Sequence, residues 1–497
     1  MTRRAKFGLG GAFVILCAAI VAASCRTPLI PWPLGVGDAA PPLDVTWLQG
    51  KPVDPRTSGE IVVVDLWATW CGPCMGTIDD LDALQRRYAA HGVRVVAVAV
   101  WDELSSVQKF VEERGQDLAY AIAFDHDKQV ERRWRQNWFE NGIPITFVVD
   151  RRGEVVMVTH PMALDGVVGD LVAGTWPPAG RDDWEADYDE LWAADEAHDW
   201  AAMGRVADRM LTAAPKLARG WHWKVRAQRD PAASAAMAER ALEAIGPDAA
   251  ELAAFVNGMV HIGRLQAIGA RAHAGLEQVT TNRLGLDLPL ARLHSAHAAG
   301  EATLEATTRS LLEQFAEQPH ELLALARAVA QRSFPSEPPL ATQPPLRPLQ
   351  RAALRCVEAA AAQLGPQRTA TLHFHLLVAT GADVARIEAV GRAAVAALRS
   401  ATELNGFAWD LLTDSEHLAT TRKTALLAVE AMAKCEGWDT PNLLDTAALA
   451  YFENGDVDRA IALQQQAIDK AGRPNQGFAD RQVRYQRAKA EQPAAGR

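Results

Sequence analysis

The stretch IVVVDLWATWCGPC, residues 61–74, constrains this chain more than any other. Its first seven residues are apolar except for Asp65 and are rich in β-branched side chains. A short run of that kind reads as a strand buried on both faces. Cys71 and Cys74 follow, separated by Gly72-Pro73. Beyond them Met75, Ile78, Leu81, Leu84 and Tyr88 recur on one stripe of a helix. The cysteine pair thus stands where a strand gives way to a helix. A metal site, a structural disulfide and a redox couple are the three chemistries to weigh.

A zinc site takes about four ligands, usually from two such pairs. The remaining cysteines are Cys17, Cys25, Cys356 and Cys435, and they form no second pair of this kind. His373 and His375 in LHFH are two apart, so on a helix they point to different sides. No metal and no other cofactor is expected. A purely structural bridge between Cys71 and Cys74 would close a tiny loop and restrain little of the unfolded chain. Cys356 and Cys435 read as small buried apolar residues. The redox reading explains more. Free backbone N–H groups and the helix dipole at a helix start stabilise a thiolate, lowering a thiol pKa from about 8.5 to about 7 in thioredoxin-type sites. A Cys71 thiolate would attack a substrate disulfide, and Cys74, one turn on, would resolve the mixed disulfide. Pro73 is tolerated in a first helical turn.

VVVDLWATWCGPC together with GIPITFVVDRRGEVV resembles the thioredoxin superfamily, and its extracytoplasmic TlpA/ResA-like, or redoxin, branch fits best. PPLDVTWLQGKPVD is similar to the opening of that branch, and the resemblance spans about residues 41–173. It implies a thioredoxin-like α/β fold, thiol-disulfide oxidoreductase activity, a redox-active Cys71–Cys74 disulfide and protein disulfide substrates. It also implies a cis proline at Pro144 that presents the Ile143 backbone to an extended substrate segment and keeps metals off the thiols. Asp65 stands where thioredoxins carry an acidic residue and would help move the proton of Cys74; the plainer reading is a water-solvated carboxylate at a strand end. Trp67 and Trp70 flank the pair, and Trp70 reads as a lid over the thiols, with simple packing as the alternative. Thr77 stands where ResA-like proteins often carry Glu, so substrate choice is not carried over, haem-protein maturation included. The Gly72-Pro73 dipeptide instead matches reducing thioredoxins.

The N-terminus adds an address. Arg3, Arg4 and Lys6 precede an apolar or small-residue run from Phe7 to Ser24, followed by Cys25. Residues 1–25 read as a signal peptide with a lipobox, lipidated at Cys25, or as an uncleaved membrane anchor; a cleaved, free protein is the third option. Residues 26–42 form a Pro-rich tether. The expected location is extracytoplasmic, on the periplasmic side, and membrane-anchored. A formal net charge of -10 argues against a nucleic-acid partner.

The 497 residues require more than one domain. From residue 43 to 176 strand and helix patterns alternate: VRVVAVAV is a second buried strand, SSVQKFVEERG a helix, and PITFVVDRRGEVVMV a hairpin turning at Asp150-Arg151-Arg152-Gly153. Val130, Trp134 and Trp138 fall at helical spacing and read as core, while Asp79, Asp80 and Asp82 read as a solvated helix face. Residues 183–490 lose nearly all strand signals. PNLLDTAALAYFENGDVDRAIALQQQAIDKAGRP resembles a tetratricopeptide repeat, with Leu444, Ala447, Ala448 and Tyr451 on one helix and Ala460 and Ala467 on the next. A Pro-rich stretch, residues 334–348, interrupts this half. The expected architecture is an α/β thioredoxin-like domain followed by an all-α tetratricopeptide-like helical solenoid, each with its own core. The repeats would hold a protein partner. A reductant in an oxidising compartment also needs a membrane thiol electron donor. The competing functions are a disulfide-forming oxidase and a repeat-type scaffold that binds partners. A thiol peroxidase is disfavoured, because its Pro-x-x-x-Thr-x-x-Cys site is missing.

Overall fold

A computed structural model describes residues 34–134, 142–161, 164–176, 184–279, 285–332 and 345–491. The apolar run before Cys25, Cys25 itself, residues 26–33 of the tether, Trp138, the linker at 177–183 and most of the Pro-rich stretch lie outside the described residues.

Six strands form one mixed sheet: β1 (Thr46–Gln49), β2 (Ile61–Trp67), β3 (Val93–Ala99), β4 (Ala121–Phe124), β5 (Ile145–Val149) and β6 (Val155–Thr159). Their order is β1-β4-β3-β2-β5-β6. β3 and β4 pair in parallel, while β1–β4, β2–β5 and β5–β6 are antiparallel. All seven residues of β2 are buried, Asp65 included, as a strand covered on both faces requires. β1 and β4 carry no clear sequence signal, because four residues are too few to display a period. At the expected hairpin turn the Gly153 N–H donates to the Asp150 carbonyl at 3.0 Å. The Asp150 carboxylate accepts from the backbone N–H groups of Arg152 and Glu154. Gly153 has φ +83°, and a Cβ there would fall 2.6 Å from the Arg56 carbonyl oxygen, so only glycine fits.

The chain forms two compact units that interleave along the sequence. The first, made of the described residues within 34–68, 94–115 and 120–160, contains the sheet. Its core is built from Val62, Val64, Leu66, Val96, Val98, Phe147 and Val149. Trp134 is fully buried and meets Phe147 edge-on at 5.3 Å, as its core reading anticipated.

The second unit comprises the described residues within 69–93, 116–119 and 161–491. Helix α1 (Gly72–Tyr88) belongs to it, as does α4 (Leu164–Ala173); α2 (Leu104–Arg114) and α3 (Gln129–Trp134) belong to the first. From Trp184 to Glu491 the described residues hold seventeen α-helices and no strand. Most successive helices pack on one another, and several also on the next but one. In the pair Pro441–Glu453 and Val457–Lys470, Leu444, Ala447, Ala448, Tyr451, Ala460 and Ala467 are all buried. Asp456 caps the second helix, accepting from the Arg459 N–H. One apolar cluster extends from Leu286 to Tyr485 and also takes in Ala83 of α1.

One sequence expectation fails here. Asp79, Asp80 and Asp82 do not form a solvated face. Asp82 is only 2% exposed, and all three pair with arginines of the helical half. Nothing in a lone sequence signals which distant arginine will cover a carboxylate.

Candidate active site

β2 ends at Trp67, and four residues later Cys71 becomes the N-cap of α1. Cys71 has the extended backbone of a cap residue, φ -84° and ψ 102°, and its sulfur accepts from the Cys74 N–H at 3.2 Å. That bond meets one of the donors a helix start leaves without a partner. Pro73 has no N–H to satisfy and starts the helix without loss. Cys71 and Cys74 are joined in a disulfide, with Sγ atoms 2.05 Å apart. Both are buried, at 4% and 2% exposure, while Gly72 and Pro73 between them are exposed. The Thr77 hydroxyl donates to the Cys74 carbonyl at 3.0 Å, within the same first turns.

The two tryptophans differ. Trp70 is 53% exposed, so it presents an apolar surface to solvent next to Cys71. Trp67 is buried and packs its ring on Phe110, with centroids 4.8 Å apart.

Asp65 is 1% exposed, which overturns the reading of a water-solvated strand-end carboxylate. Burial pushes its pKa up to about 7; the Thr146 hydroxyl, donating at 2.7 Å, works in the opposite direction. Thr146 is its cross-strand partner in the β2–β5 register. Sequence inspection missed Thr146 because a cross-strand neighbour is defined only once register is known. The Ile143–Pro144 peptide is cis. Pro144 is half-buried and lies one step past the Leu66–Ile145 pair, at the end of the sheet where β2 finishes.

Among the described residues, no three His, Cys, Asp or Glu side chains come together as a metal cluster. His375 is held neutral: burial lowers its pKa to about 4. Neither Cys356 nor Cys435 is in a disulfide. Cys356 is buried, and burial pushes its thiol pKa up to about 12, which makes it a poor nucleophile. Cys435 is only half-buried, and its Sγ lies 3.8 Å from the Ala431 carbonyl.

Residues 36–158 match the AhpC/TSA family. The thiol-disulfide oxidoreductase ResA of Geobacillus kaustophilus is 34% identical over 129 residues, covering 25% of this chain and 69% of that protein. Protein FixW of Rhizobium leguminosarum is 26% identical over 156 residues, covering 30% of this chain and 71% of that protein. Among solved structures, a thiol:disulfide interchange protein of the thioredoxin family from Chlorobium tepidum TLS is 26% identical. It spans 28% of this chain and 98% of its own, with a TM-score of 0.24.

Proposed function

Because the chain belongs to the ResA-like thiol-disulfide oxidoreductases of the thioredoxin superfamily, we propose that it works as a reductant of protein disulfides on the outer side of a membrane. The observation that carries the chemistry is the pair itself: Cys71 caps α1, accepts the Cys74 N–H and is bridged to Cys74. In the dithiol form the Cys71 thiolate attacks one sulfur of the substrate disulfide. A mixed disulfide forms and the first substrate thiolate leaves. The Cys74 thiolate then attacks the Cys71 sulfur, which closes the Cys71–Cys74 bridge and releases the second substrate thiolate. Two electrons pass to the substrate, and a dithiol donor in the membrane returns them.

The resemblance to thioredoxins, which carry an acidic residue at this position, is the ground for assigning Asp65 the task of moving the Cys74 proton. A carboxyl group with a pKa near 7 exchanges protons readily at neutral pH. Pro144 offers the Ile143 backbone to the substrate chain, and exposed Trp70 supplies an apolar contact beside Cys71. The reducing direction is supported by the Gly72-Pro73 dipeptide. Tethering rests on the basic start, the apolar run and Cys25. No helix among the described residues is long and apolar enough to cross a membrane. The tether is either a lipid on Cys25 or the apolar run at 7–24 itself. The helical half holds a protein partner and keeps it near the thiols.

The test is a pair of substitutions in the full-length protein. Cys71→Ser should abolish insulin reduction with a dithiol donor. Cys74→Ser should retain attack but accumulate mixed disulfides. Equal trapping by both variants would contradict the assigned roles, and a reduction potential near -120 mV instead of about -270 mV would make the protein an oxidase.

A further inference from the structure

Asp79 and Asp80 lie two turns into the helix that Cys71 caps, and both point at one cation. The Arg327 guanidinium, on the helix Pro319–Arg332, is 2.8 Å from the Asp79 carboxylate and 3.3 Å from that of Asp80. Its side chain is 10% exposed. Burial alone would lower the Arg327 pKa, but the two carboxylates more than offset this and raise it. Arg327 therefore stays charged.

Other charged groups on and around α1 are paired as well. On α1, Asp82 accepts from Arg86 at 2.9 Å, from Arg368 at 3.2 Å and from the Ala119 N–H at 2.7 Å. Arg368 also donates to the Asp117 backbone carbonyl. Arg87 pairs with Glu321 at 2.6 Å and with Asp165 of α4. His320 lies 4.0 Å from Asp82; burial, then Arg86 and Arg368, lower its pKa against the opposing pull of Asp82 and Asp79.

We infer that Arg327 is a positioning residue for the redox step: it neutralises part of the Asp79–Asp80 charge on the helix that Cys71 caps, so the Cys71 thiolate forms against one net negative charge instead of two. This rests on Cys71 being the nucleophile. Asp79 is eight residues from Cys71, about 12 Å along the helix axis at about 1.5 Å per residue. At that separation one unit charge alters the thiolate population by roughly twofold in a water-like dielectric and about tenfold in a protein-like one. A residue of the helical half thereby acts on chemistry in the thioredoxin-like part of the chain.

The experiment follows Cys71 alkylation by iodoacetamide against pH in the fully reduced full-length protein, with mass mapping that scores Cys71 and Cys74 separately. Arg327→Met should raise the pH midpoint and slow Cys71 alkylation at pH 7 by roughly two- to tenfold. Arg327→Lys, which keeps the charge, should stay near the unsubstituted protein. Asp79→Asn with Asp80→Asn leaves Arg327 uncompensated and should lower the midpoint. The triple variant Asp79→Asn, Asp80→Asn, Arg327→Met should fall between that double variant and the unsubstituted protein. A midpoint unmoved by Arg327→Met overturns the inference. So does a shift of one sign in every variant, which is what mere loosening of the helix would give. Faster alkylation of Cys74 in the unsubstituted protein would instead overturn the nucleophile assignment itself, before any variant is compared.

Discussion

At the scale of single residues, Asp65 carries the clearest pH signature. Its folded-state pKa of about 7 lies above the ordinary value of 3.8, because burial disfavours the charged form. The sign follows directly. Below about pH 4 the carboxyl is protonated in both folded and unfolded chains, and nothing is lost. As pH rises the unfolded chain releases this proton first, so stability declines up to about pH 7 and is flat above it. Asp65→Asn removes that slope while keeping an acceptor for Thr146. The variant should gain on the unsubstituted protein between pH 4 and 7, by on the order of a few kcal/mol. Urea midpoints at pH 4.5, 6 and 7.5 check this, and a difference independent of pH would refute the assignment. If Asp65 also manages the Cys74 proton, the variant should resolve mixed disulfides more slowly at pH 7. Position 65 was legible in the sequence as an acid in an apolar strand. Its depth was not, because burial depends on what packs over the strand.

Among elements, α1 shows how far a helical pattern can be read. Its start was legible: an apolar run, a cysteine, Gly-Pro and a 3.6-residue stripe point to a helix beginning at the pair. Its polar face was not legible. Arg87, in the last turn, has a side chain 6% exposed and faces Asp165 and Glu321, at 12% and 13%. Burial would lower the Arg87 pKa; Asp165 and Glu321 outweigh it and raise the value. The Leu286 N–H also donates to Asp165 at 2.6 Å. Three helices meet at this one guanidinium. Arg87→Met strands two carboxylates away from water, and breaking such a pair costs about 3–5 kcal/mol. Combining it with Asp165→Asn and Glu321→Gln should recover much of the loss, since no uncompensated charge remains. Thermal or urea midpoints of the single and triple variants decide; a single variant as stable as the unsubstituted protein would show that the pair contributes nothing.

For the whole molecule, the sequence suggests two autonomous parts joined near residues 176–183, and the division is legible as a change from mixed to purely helical periodicity. Packing does not respect that junction. The sheet has its own core, yet α1 shares a compact unit with the helical half, through Ala83 in its apolar cluster and through Arg327, Glu321 and Arg368. Such contacts join residues more than 200 positions apart. Local periodicity carries no information about them. Removing residues 183–497 should therefore leave a folded sheet with a weakened active-site helix, not a fully independent enzyme. Asp79, Asp80, Asp82 and Arg87 would lose their long-range partners, and the apolar surface around Ala83 would meet water. Amide exchange in α1 should accelerate strongly while β2, β3 and β5 stay protected, because a helix without tertiary support is marginal in water. Activity on a small generic disulfide should drop, and trapping of natural partners by the Cys74→Ser form should drop further. Exchange in α1 identical to that of the full chain would mean that the helical half only recruits. Unchanged identity and yield of trapped partners would mean that it only braces the redox helix.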